Sequence, residues 1–295
     1  GQPDARAIEN HWQLVLGTSQ GKPQAIFACQ HGATWQFIQD GNDFLVALAQ
    51  QNPGLTPDPM VARALCARHT GVGADGLIYG LTPGGEDADV HMVLLNADGS
   101  EAEISGNGIR CLAQAVLREH GRNEGDVLVE TVGGVRHLRT VKGEVDGELW
   151  TQVEMGEPGE GPPMTPEAIE FPSERRATVD IGNPHVVFLV PDPDAIDLSV
   201  HGPVLERSFP AGINVHMVAP TSFEDLELRV WERGVGITNA CGSGAVAATV
   251  AAHGWGVIGT HATVHMPGGD AVVEIDGARA LLTGPSAFIA EVVVP

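Results

Sequence analysis

Two glycine-rich turns, each opening an apolar helical segment, constrain this chain more than any other feature of its sequence. Ser105-Gly106-Asn107-Gly108 precedes one such segment, and Cys241-Gly242-Ser243-Gly244 precedes the other. Nine residues before each turn stands a polar side chain, Asn96 in the first case and Glu232 in the second. Further upstream, Gly41-Asn42-Asp43-Phe44 is matched by Gly182-Asn183-Pro184-His185. The same features in the same order indicate an internal duplication, with two similar α/β lobes facing each other.

The pattern of apolar residues and glycines predicts a chain rich in strands with few helices. Strands are predicted at Val90–Leu95, Val127–Val132, Val135–Val141, Leu226–Trp231, Ala262–His265 and Ala271–Ile275. Helices are predicted at Pro59–Arg68, Gly106–Glu119 and Gly242–His253. The last two are apolar over most of their circumference, which indicates burial inside a sheet structure. The proline-rich stretch Glu154–Ser173 is the best candidate for a linker between the two halves.

Composition excludes several classes of partner. The 295 residues carry a net charge of −22, and a field of that sign repels phosphate backbones and anionic membrane surfaces. Apolar residues make up 43% of the chain, which permits a sizeable core. Four cysteines without a Cys-x-x-Cys pair favour a reducing compartment. Neither a signal peptide nor an apolar run of membrane length is predicted, so we expect a cytoplasmic protein. From the negative charge we expect that it binds no nucleic acid.

The two turns are suited to holding a small anion. A side chain followed by Gly-x-Gly at a helix start lies beside unpaired backbone N–H groups and the positive end of the helix dipole. This setting binds carboxylates and is expected to lower the pKa of a thiol such as that of Cys241. Two such turns would present side chains to opposite faces of one ligand, as a two-base racemase requires. A second interpretation is equally open, in which the glycines only allow close packing and Cys241 is a buried small side chain.

Seven segments resemble the diaminopimelate epimerase family, whose members interconvert the LL and meso isomers of 2,6-diaminopimelate without a cofactor. These segments are GNDF (41–44), HTGVGADG (69–76), NADGSEAEISGNGIRC (96–111), GNPHVV (182–187), GINV (212–215), ERGVGITNACGSGA (232–245) and PGGD (267–270). The resemblance implies an α/β (α+β) fold of two lobes, each a mostly antiparallel, barrel-like sheet around a central helix, with the site between them. We place the first lobe at residues 1–154 with 286–295 and the second at 155–285. No metal, pyridoxal phosphate or nucleotide is implied, and a homodimer is common in the family.

The family's residue roles carry over position by position. Cys241 matches the second catalytic cysteine, with Ser105 in the opposing position. The residues implied to hold the two ends of the substrate are Asn42, Asn96, Asn183, Asn214, Glu232 and Arg233. Gly106-Asn107 and Gly242-Ser243 match the backbone donors for the reacting carboxylate. His185 is either a ligand-site residue or a turn residue, and Asp75 and Asp98 are expected to brace glycine-rich turns.

The sequence departs from the family pattern at two positions. Ser105 stands where the family has its first catalytic cysteine, and Ile237 stands where glutamate is common. Cys111 lies six residues further along the helix, about 9 Å of rise, and is interpreted as a packing residue. Ser105 is then an engineered replacement, a natural Ser/Cys pair helped by an ordered water, or the mark of a one-base relative with another substrate.

The favoured function is epimerisation of diaminopimelate, in the synthesis of lysine and peptidoglycan precursors. One alternative is a related cofactor-independent racemase or dehydratase of the same fold. Another is a catalytically impaired homologue that binds an amino acid without exchanging its α-proton.

Overall fold

The computed structural model describes residues 12–19, 42–85, 87–102, 105–142 and 148–294. The first half of this described part consists of β1 (Trp12–Ser19), β2 (Asn42–Leu48), α1 (Pro59–Cys66), β3 (Gly76–Leu81), β4 (Val90–Asn96), β5 (Glu101–Ala102), α2 (Gly106–Glu119), β6 (Gly125–Thr131), β7 (Gly134–Lys142) and β8 (Glu148–Gly156). The second half consists of β9 (Gly159–Glu160), α3 (Pro166–Glu170), β10 (Arg175–Asp180), β11 (Pro184–Leu189), a 3₁₀ turn (Pro193–Ala195), α4 (Leu198–Ser208), β12 (Asn214–Pro220), β13 (Asp225–Glu232), β14 (Gly236–Thr238), α5 (Gly242–Gly254), β15 (His261–Met266), β16 (Gly269–Asp276) and β17 (Arg279–Val294).

The two halves repeat the same strand pairing. In the first half β2 is parallel to β3, β3 is antiparallel to β4, and β4 is parallel to β6, with α2 between β5 and β6. In the second half β11 is parallel to β12, β12 is antiparallel to β13, and β13 is parallel to β15, with α5 between β14 and β15. Antiparallel pairs β6–β7–β8 and β15–β16–β17 complete the two sets. The predicted duplication and the predicted α/β fold of mostly antiparallel sheets are therefore confirmed.

The long strand β17 joins the two sets into one sheet. Its first residues, 279–283, pair with β16, and residues 280–287 pair with β8 of the first half. Residues 287–294 then pair with β1, which also pairs with β2. Strand β1 thus lies between β17 and β2.

The helices α2 and α5 form the centre of the core, and they meet at their N-termini. Every residue of α2 from Gly106 to Leu117 is buried, and α5 is buried along most of its length. A Cβ atom built on Gly242 would lie 3.6 Å from the Cα atom of Gly106 and 2.9 Å from Leu282 Cδ2. A Cβ atom at either glycine would thus be in van der Waals contact with the other helix end and would crowd the Leu282 side chain, so glycine leaves room for this close approach.

The proposed linker is more ordered than its composition predicts. Residues 154–156 complete β8, and Gly159–Glu160 pairs with β10. Thr165 caps α3, because its side chain accepts a hydrogen bond from the amide of Ala168. Ala168 and Phe171 pack into a core cluster with α4 and β11. The stretch connects the two halves, but it is a packed part of the fold.

The helix boundaries follow the sequence closely. Helix α2 spans the predicted residues, α5 extends one residue beyond the prediction, and α1 ends two residues before it, at Cys66. No helix in the described ranges is long and apolar enough to cross a membrane.

Candidate active site

A cavity of about 900 Å³ opens where the N-termini of α2 and α5 meet. Both halves of the chain contribute to its wall. The predicted site residues that line it are Asn96, Ser105, Gly106, Asn107, Asn183, Glu232, Arg233, Cys241, Gly242 and Ser243. The remaining three predicted residues are placed differently. Asn42 begins β2, and its side chain lies outside the described residues, while Asn214 and His185 are buried behind the wall.

Ser105 and Cys241 occupy the same position in two turns of the same geometry. Ser105 has φ −134° and ψ 114°, and Cys241 has φ −142° and ψ 111°. Ser105 Oγ accepts a hydrogen bond from the amide of Gly108 at 3.0 Å, and Cys241 Sγ accepts one from the amide of Gly244 at 3.3 Å. Each side chain therefore caps its own helix while lining the shared cavity.

Burial and a neighbouring carboxylate together reverse the expected direction of the pKa of Cys241. Burial raises the pKa of the thiol, and the negative charge of Glu232 raises it further. Hydrogen bonds involving Ser243 and the Gly244 amide act in the opposite direction without compensating. The prediction of a depressed thiol pKa is therefore wrong, because desolvation and the charge of Glu232 outweigh the hydrogen bonds at the start of the helix.

Glu232 is the natural acceptor for the thiol proton. Burial raises the pKa of its carboxyl group, and a hydrogen bond with Cys241 acts against that rise. Asp75, across the cavity, raises the pKa of Glu232 further through its negative charge. The Ser105 hydroxyl, by contrast, is hydrogen-bonded to the backbone amide of Gly108, and among the described side chains no titratable group bonds to it. The two half-sites thus have the same backbone geometry, but only the second one pairs its capping residue with a carboxylate.

A pair of buried histidines orients Asn183. His185 Nδ1 lies 2.8 Å from His216 Nε2, and His185 Nε2 lies 2.8 Å from Asn183 Oδ1. Burial lowers the pKa of His216 to about 3. Burial also lowers the pKa of His185 well below its usual value, and electrostatic repulsion from His216 and Arg233 lowers it further. Both rings are therefore neutral at neutral pH. His185 donates to the amide oxygen and accepts from His216. Asn183 is left with its Nδ2 hydrogens for a ligand.

Asn214 holds the backbone of Arg233 in place. Its Oδ1 atom accepts from the amide of Arg233 at 2.9 Å, and its Nδ2 atom donates to the Pro184 carbonyl at 3.0 Å. The amide group is therefore engaged on both sides by backbone. The Arg233 side chain is exposed and donates to the Ala211 carbonyl at 3.3 Å. In this arrangement Asn214 braces the residue that lines the cavity.

Arg68 is a charged cavity residue that was not predicted from the sequence as a site residue. Arg68 lines the cavity and forms an ion pair with Asp75 at 2.6 Å and with Asp43 at 3.5 Å. The available signal was its position next to the HTGVGADG segment, in a chain with few cations. Asp98 also lines the cavity and braces its turn as predicted, accepting from the amide and hydroxyl of Ser100.

The rim of the cavity carries apolar side chains on the turn between β13 and β14 and on β14 itself. Val235 is 74% exposed and Ile237 is 56% exposed, although both contribute to the lining. Ile237 is the residue that stands where glutamate is common in the resembling family. Its side chain adds apolar surface at the mouth of the cavity.

Comparison with known proteins identifies relatives across most of the chain. A family model described as diaminopimelate epimerase matches residues 37–159 and 177–289. A diaminopimelate epimerase from Moorella thermoacetica is 41% identical over 268 residues, covering 83% of this chain and 93% of the relative. One from Halothermothrix orenii is 39% identical over 263 residues, covering 83% and 92%.

Solved structures share the fold at much lower identity. A phenazine biosynthesis protein of the PhzF family from Bacillus anthracis aligns with a TM-score of 0.68 at 17% identity, over 97% of this chain and 99% of that chain. A hydroxyproline epimerase from Agrobacterium vitis, with bound trans-4-hydroxy-L-proline, aligns with a TM-score of 0.64 at 13% identity, over 98% and 92%. At these identities the likeness concerns the fold alone.

Proposed function

Because the chain belongs to the diaminopimelate epimerase family, we propose that it interconverts LL- and meso-2,6-diaminopimelate by proton transfer at the α-carbon. The observation that carries this proposal is the meeting of two helix N-termini, with Ser105 and Cys241 capping them on one cavity. The enzyme is an isomerase, and the reaction serves lysine and peptidoglycan precursor synthesis.

The reacting carboxylate is held between the first turns of α2 and α5. Backbone donors at Gly106-Asn107 and Gly242-Ser243 face the cavity, and the positive ends of both helix dipoles add to the attraction. These same donors stabilise the negative charge that develops when the α-proton leaves. The ligand is thereby placed with one face of its α-carbon toward Cys241 and the other toward Ser105.

Cys241 and Glu232 act together on one face. Glu232 accepts the thiol proton, the resulting thiolate removes the α-proton from the substrate, and the reverse sequence returns a proton to carbon. Ser105 cannot ionise at a useful concentration, so the opposite face depends on a hydroxyl or on water relayed by it. From the resemblance to the family, we expect the α-hydrogen of the meso isomer to face Cys241.

The distal end of the substrate is held by the polar wall of the cavity. The Arg233 guanidinium offers a charge-assisted contact for the distal carboxylate, and Asn183 offers the amide hydrogens that the histidine pair leaves free. Asn96, on the wall of the first half, supplies a further polar contact. We place the boundary of the lobes at residues 1–154 with 286–295 and 155–285, and lobe closure over the ligand would exclude water.

Deuterium incorporation tests this function directly. LL- and meso-diaminopimelate are incubated with the enzyme in heavy water, and α-deuterium and isomer ratio are followed by mass spectrometry and chiral chromatography. Exchange from at least one isomer, lost in Cys241→Ala, supports the proposal. If diaminopimelate binds without any α-proton exchange, the protein is a binding homologue.

A second candidate is a related racemase or dehydratase that acts on another amino acid with one base. Ser105 at one half-site and the apolar Ile237 at the rim favour it. A panel of amino acids in the same heavy-water assay separates the two, because faster exchange from an amino acid without a distal carboxylate contradicts a role for Arg233. The cytoplasmic location and the homodimer implied by the resemblance stay predictions.

A further inference from the structure

Arg110 is a buried cation that the proposed mechanism does not use. It lies one turn after Asn107 in α2, and its side chain is fully buried. Its Nη2 atom donates to Asn107 Oδ1 at 2.8 Å. Within the described ranges, the Nε and Nη1 atoms have no hydrogen-bond partner, and no carboxylate forms an ion pair with the guanidinium.

This arrangement is costly for the folded protein. Burial lowers the pKa of Arg110 to about 10, so the side chain remains charged at neutral pH. Charges of this kind are normally paired when they are removed from water. The guanidinium is also closely packed, since a Cβ atom on Gly284 would lie 3.0 Å from its Cζ atom. A buried charge without a counter-charge from the protein is explained if a bound ligand supplies one.

The position of Arg110 supplies that reason. Its hydrogen-bonded partner, Asn107, lines the cavity in the first turn of α2, where the reacting carboxylate is placed. We propose that Arg110 is a positioning residue whose charge, acting through Asn107 and the α2 N-terminus, holds the substrate carboxylate. The ligand then provides the counter-charge that the protein omits. The identity of the ligand rests on the proposed function, whereas the positive field at the turn does not.

The first test compares three variants in the deuterium exchange assay and in thermal unfolding. Arg110→Met removes the charge and should raise KM for diaminopimelate about tenfold, the equivalent of one pKa unit of interaction. Its melting temperature should not fall, because an unpaired buried charge is lost. Arg110→Lys, which retains the charge, should recover most of the affinity.

Gln114 provides the matched control. It lies one turn further along the same helix, is buried, and donates to the Ser286 carbonyl at 3.4 Å. Like Arg110→Met, Gln114→Met replaces a buried polar side chain of α2 with methionine, but it leaves the charge unchanged. The KM of Gln114→Met should therefore stay within twofold of the parent value. An unchanged KM in Arg110→Met, or an equal rise in Gln114→Met, would overturn the inference.

The second test is independent of the substrate. A thiol is introduced at the α2 N-terminus by Ser105→Cys, and its pKa is measured from the pH dependence of iodoacetamide alkylation, localised by mass spectrometry. Adding Arg110→Met should raise that pKa by about one pH unit. If the parent neither binds nor exchanges diaminopimelate, the proposed function fails while this measurement still decides on Arg110. A thiol pKa that does not respond to Arg110→Met contradicts the inference.

Discussion

Ser105→Cys should give the first half-site the acid–base group that the second half-site already carries. The two capping residues have nearly equal backbone angles, and their hydrogen bonds to the third residue of each helix measure 3.0 Å for Ser105 and 3.3 Å for Cys241. The sulfur at 241 therefore shows that a thiol fits this turn, with a hydrogen bond only about 0.3 Å longer. We expect the variant to fold with its cap intact.

The size of the gain follows from the chemistry of the two groups. A thiol ionises near pH ~8.5, and an alcohol ionises far less readily. A positioned general acid or base contributes roughly 10²–10⁴ in rate, which corresponds to about 2.7–5.4 kcal/mol of transition-state stabilisation. In the parent, the isomer whose α-hydrogen faces Cys241 should exchange that hydrogen faster than it inverts. In Ser105→Cys, the difference in exchange rate between the two isomers should become smaller, and epimerisation should rise by that factor.

The assay measures initial rates of deuterium uptake and inversion for both isomers in heavy water. Ser105→Ala serves as the control, because it removes the hydroxyl without adding a thiol and costs the helix about 1 kcal/mol of capping stability. Equal and rapid rates from both isomers in the parent, with no gain in Ser105→Cys, would refute the view that Ser105 is the deficient partner.

Two further predictions concern stability. A Cβ atom at Gly244 would lie 2.5 Å from His216 Cε1, so Gly244→Ala should lower the free energy of unfolding by about 1–3 kcal/mol, measured by urea denaturation. His265 is hydrogen-bonded to Asp225 and Asp270, and although burial acts in the opposite direction these contacts raise its pKa. Because the pKa of His265 is higher in the folded state, protonated His265 should stabilise the fold by about 0.2–1 kcal/mol. This contribution should be complete below pH ~6.5 and should be lost as the pH rises through the raised pKa. Urea denaturation of the parent and of His265→Gln at a series of pH values would show it.

Gly254 provides a control for the first of these changes, because a Cβ atom there would contact nothing within 4 Å. Gly254→Ala should leave stability unchanged or raise it by up to about 1 kcal/mol. Equal losses at Gly254 and Gly244 would contradict the steric argument. A stability difference between His265→Gln and the parent that does not change between pH 5.5 and 8.5 would contradict the assignment of the raised pKa.

The sequence predicts those parts of the structure that depend on local pattern. Helix α2 spans Gly106–Glu119 as predicted, because a capping side chain, a glycine turn and continuous apolar residues all act within the segment itself. The duplication can likewise be recognised from the sequence, because similar segments recur in the same order and at similar spacing. The packing of α3 was not predictable in this way. Its burial depends on Ala168 and Phe171 meeting α4 and β11, and a proline-rich sequence carries no sign of that contact.

The electrostatics of the site were the least predictable part. The helix N-terminus beside Cys241 indicates a lowered pKa, whereas burial and Glu232 raise it. Desolvation is a property of the assembled cavity, and no spacing along the chain reports it. The same limit applies to Arg110, which a sequence places on an apolar helix but cannot show to lack a counter-charge. Electrostatic effects between residues far apart in the sequence can be assigned only once the distances between the charged groups are known.

The duplication also explains why the two half-sites cannot become equivalent by one substitution. Asn96 ends β4 and Glu232 ends β13, so the two residues occupy corresponding positions nine residues before each cap. Glu232 interacts with the thiol of Cys241, while Asn96 donates from Nδ2 to Ser100 Oγ at 3.0 Å. Asn96 carries no charge, so a thiol at position 105 would lack the neighbouring carboxylate that raises the pKa of Cys241. That thiol should have a lower pKa than the thiol of Cys241. In Ser105→Cys the first half-site, which lacks a base in the parent, would therefore carry the more acidic of the two thiols.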